Sequence, residues 1–77
     1  MEYLKNRKLY PIGTKYIAQG KRKDIETVTE ILKTYNSKNE LVRIEYVVEH
    51  DFLNQKLSHT VCHTTIRMAE IQGRILN

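Results

Sequence analysis

The 77-residue chain has one cysteine, one proline, three glycines and no tryptophan. A lone Cys62 excludes an internal disulfide, so the fold cannot rest on the covalent staples of small secreted domains, and a reducing compartment is expected. The low proline and glycine content excludes collagen-like and low-complexity classes. No apolar run approaches the ~18 residues that a membrane helix needs, and the N-terminus lacks the apolar stretch of a signal peptide, so a cytoplasmic protein is expected. There is no glycine-rich phosphate loop, nucleophile elbow or paired-carboxylate pattern, so the expectation is no enzyme and no cofactor.

Hydrophobic residues make up 40% and charged residues 29%, a globular balance. A chain of this length forms one core, burying ~60% of its unfolded surface, so residues 1–77 are read as one small domain. Its stability is expected at roughly 4 to 12 kcal/mol. The first nine residues are expected as a flexible basic N-terminus and residues 69–77 as a fraying tail.

The net charge of +4 is unevenly spread. From Met1 to Lys23 seven basic residues stand against one acid, a net +6, whereas the remainder is net −2. If this first third presents one face, Lys15, Lys21, Arg22 and Lys23 offer cations to phosphates, followed by Lys5, Arg7 and Lys8. Tyr10 and Tyr16 then offer rings on which bases stack, the combination that single-strand nucleic-acid binders use. The competing reading is a solvated terminus that keeps a small protein soluble.

Between Leu41 and Phe52, Val42, Ile44, Tyr46 and Val48 alternate with Arg43, Glu45 and Glu49, the period of a strand with one buried face. His50 and Phe52 continue the buried phase, and Val47 interrupts the polar one. Asn36-Ser37-Lys38-Asn39-Glu40 is a run of turn formers, so Ile25–Tyr35 and Leu41–Phe52 are read as a β-hairpin. Ile25, Val28, Ile31, Leu32 and Tyr35 also fit helical spacing, but three threonines and the β-branched aliphatics favour a bent or bulged strand. Thr14–Gln19 is a shorter strand followed by the basic turn Gly20–Asp24. Leu57–Met68 is expected as the last extended run, and the tail as a short strand or a helical turn.

Together these elements predict a mainly β fold, a small bent antiparallel sheet or barrel of four to five strands, SH3-like or Tudor-like. An OB-like barrel, or an α+β fold with a short helix at 25–35, is the alternative.

His50, His59, Cys62 and His63 are the soft metal-ligand types. In a continuous strand His59 and His63 share a face and Cys62 points to the other, so these residues are not expected to converge on a metal. The same alternation argues against a Cys62–His63 dyad, and Cys62 is expected as a buried small hydrophobe. Tyr35, Tyr46 and Phe52 are read as core or barrel-rim residues.

YPIGTKYI (Tyr10 to Ile17), TVTEILKTYNSKNELVRIEYVVEHDF (Thr27 to Phe52) and VCHTTI (Val61 to Ile66) resemble a group of small accessory proteins encoded by bacteriophages and prophages, over roughly Tyr10 to Ile71. Such relatives usually carry glycine where Asn39 and Asn54 stand here. The resemblance implies a phage product acting inside the bacterial host, and it carries over no active-site residue. The function expected first is a nucleic-acid-binding module that uses the basic N-terminal third, and the alternative is a protein-interaction module that binds and inhibits a host or defence protein. Dimerisation through an open strand edge is a further expectation.

Overall fold

The computed structural model describes residues 9–77, and the expectations for the first eight residues, including Lys5, Arg7 and Lys8, lie outside this range. Among the described residues the chain forms four strands and one helix: β1 (Lys15–Ile17), β2 (Ile25–Tyr35), β3 (Leu41–Phe52), β4 (Gln55–Cys62) and α1 (His63–Ile71). The strands meander in one antiparallel sheet of order β1-β2-β3-β4, the mainly β fold that the alternation predicts.

The helical spacing in the second of these strands has a plain cause. Its register against β3 shifts between Val28 and Glu30, so a bulge at Thr29 moves the alternation by one residue. The bulge brings Val28 and Ile31, three positions apart, onto the same core, and the Thr29 hydroxyl donates to the Val47 carbonyl at 3.2 Å. A strand that slips phase once imitates an i, i+3 pattern. The alternative with a helix at 25–35 is therefore not realised.

Two tight turns fix the register of the long strands. At the β2–β3 tip the Asn36 side-chain carbonyl accepts from the Lys38 and Glu40 amides at 2.9 and 3.0 Å, and Asn39 sits at φ 62°. Between β3 and β4 only Leu53 and Asn54 separate the paired Phe52 and Gln55, at φ 50° and 65°, the type I′ geometry that matches strand twist. Both asparagines thus occupy left-handed backbone that asparagine tolerates better than most residues.

The expected extended run from Leu57 to Met68 is corrected at its midpoint. Extension stops at Cys62, and His63, Ile66 and Ala69, spaced by three, form the buried stripe of α1. That stripe covers the inner sheet face, where Val28, Ile44, Tyr46 and Val48 lie, and closes the core together with Tyr10 and Tyr16. The helix ends with Gly73 at φ 72° and the Arg74 amide bonded back to the Ala69 carbonyl at 2.7 Å.

Residues 69–77 complete α1 and then return alongside β1. Arg74 and Leu76 exchange backbone hydrogen bonds with Ile17 and Lys15 at 3.0 and 2.8 Å, and Ile75 bridges Tyr16. The Asn77 side chain adds bonds to the Lys15 amide and the Gly13 carbonyl, both at 2.9 Å. The tail thereby covers the outer edge of β1, which leaves β4 as the open edge of the sheet among the described residues.

Candidate functional site

Strand pairing places three polar side chains on the inner face, where the core pattern calls for apolar ones. Glu26 is in phase with the buried Val28 on β2. His50 continues the inward phase of Tyr46 and Val48 on β3, and His59 on β4 pairs with Val48 and therefore shares its face. The three converge. His50 Nδ1 lies 3.2 Å and His59 Nε2 3.7 Å from Glu26 Oε1. The imidazoles meet edge to face with centroids 5.8 Å apart. On the far side of His50, Nε2 lies 4.0 Å from Asp24 Oδ2.

The Glu26 side chain is only 5% exposed, and its Oε2 has no hydrogen-bond partner. A carboxylate in that position loses its hydration and has the two imidazoles for compensation. Tyr16 stands directly across from Glu26 on β1. Burial, followed by the negative charge of Glu26, pushes the Tyr16 phenol up to about 12, so it stays protonated. The trio opens on one side into a cleft of about 410 Å³ between β4, α1 and the tail, with Glu26, His59, Thr65 and Met68 among its walls.

A second cluster lies deeper. The Tyr46 hydroxyl lies 2.9 Å from His63 Nδ1 and accepts from the Tyr10 amide at 3.3 Å. The Tyr10 hydroxyl donates to Glu70 Oε1 at 2.7 Å. Desolvation first, then the bond to Glu70, pushes the Tyr10 phenol up to about 12, and desolvation raises Tyr46 as well. These bonds tie the segment before β1, the middle of β3 and both ends of α1 together, so this cluster acts as a latch for the fold.

The sequence-derived metal set is thus divided. His50 and His59 converge as a pair, His63 belongs to the latch, and Cys62 is exposed rather than buried. The Cys62 thiol lies 3.4 Å from the Thr65 hydroxyl at the start of α1. That hydrogen bond, aided by amides of the first helical turn, holds the thiol below its ordinary value against the opposing effect of partial burial. His63 turns inward while Cys62 faces solvent, and the two form no dyad.

The residues proposed for nucleic-acid contact also divide. Lys15, Lys21, Arg22 and Lys23 are exposed, whereas Tyr10 and Tyr16 are 4% and 2% exposed and offer no ring face to a base. They fill the core because each lies under α1 or the returning tail. At the basic turn the Arg22 guanidinium sits 4.0 Å over the Phe52 ring and its Nη2 lies 3.4 Å from Asp24 Oδ1. Tyr35, read as core or rim, stands 52% exposed near the hairpin tip.

Glu26 escaped the sequence reading, although its signal was present: two residues before Val28, it is an acid on the buried phase of a strand. No protein-family model, curated protein or solved structure matches the chain. No helix among the described residues is long and apolar enough to cross a membrane.

Proposed function

We propose that the chain is a phage-type accessory protein that captures a host protein by adding one of the partner's extended segments to the open edge of β4. One observation carries this reading. β4 is the terminal strand of the sheet, seven of its eight residues are exposed, and its ladder with β3 runs through eight consecutive pairs without a shift. Natural edges are usually blunted by bulges, prolines, lysines or a covering segment. This one carries Lys56 near its start and, among the described residues, none of the other devices over the rest of its length.

An eight-residue edge offers ~26 Å of unpaired backbone at ~3.3 Å per residue, enough for strand addition. Exposed Leu57 and Met68, at 40% and 41%, provide apolar contacts beside it for a partner's side chains. The test is capture from nuclease-treated bacterial lysate by the protein and by a Ser58→Lys/Thr60→Lys variant, which adds charge to an exposed stretch of the edge. A partner retained by the first and lost by the second, at unchanged Tm, supports the reading. Equal capture by both overturns it. Sedimentation of the purified chain tests whether the same edge pairs with a second copy.

The nucleic-acid reading retains one specific support: Lys21, Arg22 and Lys23 project from a single turn, with the Arg22 guanidinium over the Phe52 ring. With Tyr10 and Tyr16 in the core, this mode is limited to phosphate contacts. Engaging ~4 phosphates gives a log K versus log [salt] slope of roughly −3 to −4. Charge reversal at all three positions abolishes such binding, and failure to shift any oligonucleotide at low salt removes the reading.

A further inference from the structure

We propose that Glu26, His50 and His59 form a binding site for a first-row divalent transition-metal ion of the zinc class. The donor atoms of the three side chains all lie within 4.8 Å of one another. Two ligands of a tetrahedral zinc, each ~2.1 Å from the metal, stand about 3.4 Å apart. The separations of 3.2 Å from His50 Nδ1 and 3.7 Å from His59 Nε2 to Glu26 Oε1 bracket that value. Small side-chain adjustments suffice to admit the ion.

Three further observations point to a ligand rather than to a simple ion pair. Glu26 is buried, yet its Oε2 lacks a hydrogen-bond partner, and His50 Nδ1 makes no hydrogen bond although it lies 3.2 Å from Oε1, so a cation held by Nδ1 and this carboxylate would engage groups the fold leaves open. The residues come from three adjacent strands, β2, β3 and β4, so the backbone ladder holds the donors in place before any metal arrives. Finally, His50 has a carboxylate on its other nitrogen, with Asp24 Oδ2 4.0 Å from Nε2. The negative charge on that side, beyond direct hydrogen-bond reach, favours the tautomer protonated on Nε2, which leaves Nδ1 free to ligate.

The donor set selects the metal class. Two imidazoles and one carboxylate suit zinc and its transition-metal neighbours, whereas magnesium and calcium require oxygen ligands. Three protein ligands leave a fourth position, and His59 and Glu26 border the cleft through which water or an exchangeable anion reaches it. Because His59 lies on β4, a bound ion cross-links the edge strand to β2 through the interior of the sheet. The site needs neither a strand partner nor a nucleic acid, so its test is independent of the function proposed above.

The test uses zinc chloride alone with the purified chain, read by calorimetric titration and by thermal unfolding. One ion per chain is expected, with a Tm rise of roughly 10 °C or more at a hundredfold excess over Kd. Magnesium leaves Tm unchanged. Because the His59 side chain is 47% exposed, His59→Ala should fold and lose the zinc-dependent rise. Glu26→Gln keeps the shape and weakens zinc at least tenfold, and Cys62→Ser binds like the original chain. No zinc-dependent shift in the original chain, an undiminished shift in His59→Ala, or its loss in Cys62→Ser overturns the assignment. Cobalt binding with the absorption of a four-coordinate nitrogen and oxygen site, absent in His59→Ala, supports it by a readout separate from stability.

Discussion

The Tyr46 hydroxyl and Nδ1 of His63 lie 2.9 Å apart inside the core, joining the middle of β3 to the first residue of α1. That contact marks the place where the chain abandons extension. Val61 still pairs with Tyr46 across the sheet, and two residues later His63 turns back beneath the same tyrosine. The hydroxyl is also the acceptor for the Tyr10 amide, so one oxygen serves two segments distant in sequence.

Tyr46→Phe removes that oxygen and leaves the buried Tyr10 amide without its acceptor. The expected loss is about 1 to 3 kcal/mol, since unsatisfied buried polar groups are costly while the ring packing is retained. Urea denaturation with an unchanged m-value measures it, and a loss below a few tenths of a kcal/mol contradicts the latch.

The β3–β4 turn contains an avoidable strain. Leu53 adopts φ 50° while being 81% exposed, so its side chain gains little packing in a conformation that disfavours it. Replacing Leu53-Asn54 by Asn-Gly is expected to stabilise the protein by about 1 kcal/mol. A higher urea midpoint checks this, and a lower one would mean that Leu53 has packing not visible in its exposure.

Alkaline pH should unfold the protein through its buried phenols. Tyr10 is raised from 10.0 to about 12 by burial and by Glu70. For a raised group the stabilisation is fully present below pH 10 and is lost as pH rises toward 12. Circular dichroism and phenolate absorbance are expected to change together across that window. Because the exposed Tyr35 also contributes phenolate absorbance, the Tyr10 signal is taken as the difference from a Tyr10→Phe variant, and its appearance near pH 10 with the fold intact would contradict the burial of Tyr10.

Cys62 has the opposite sign. Its thiol is lowered from 9.0, first by the Thr65 hydroxyl, against the opposing effect of partial burial and with smaller help from helix-start amides. The pH–rate profile for alkylation should therefore have its midpoint below that of the urea-unfolded chain. Thr65→Val should move it upward, and identical midpoints in the folded and unfolded chain would refute the contact.

Local rules were sufficient for the hairpin. The alternation from Val42 to Val48 set one face of β3, and Asn36 and Asn39 supplied side-chain bonds and left-handed backbone at the tip, all within a few residues of sequence. The bulge at Thr29 was legible only as an ambiguity, because a slipped strand and a helix both place Val28 and Ile31 on one side.

What the tertiary structure decided concerns residues whose surroundings come from far along the chain. Thr64–Met68 has threonines suited to either state, and it coils because the stripe of His63, Ile66 and Ala69 can then cover the apolar sheet face. The rings of Tyr10 and Tyr16, plausible on the surface by composition, are buried because that helix and the returning tail close over them. Glu26, His50 and His59 lie up to 33 positions apart in sequence, and only the register of three strands makes them neighbours. A sequence fixes period and turn chemistry through short-range sterics, whereas burial and convergence depend on which surfaces meet, and those are chosen by the free energy of the whole core.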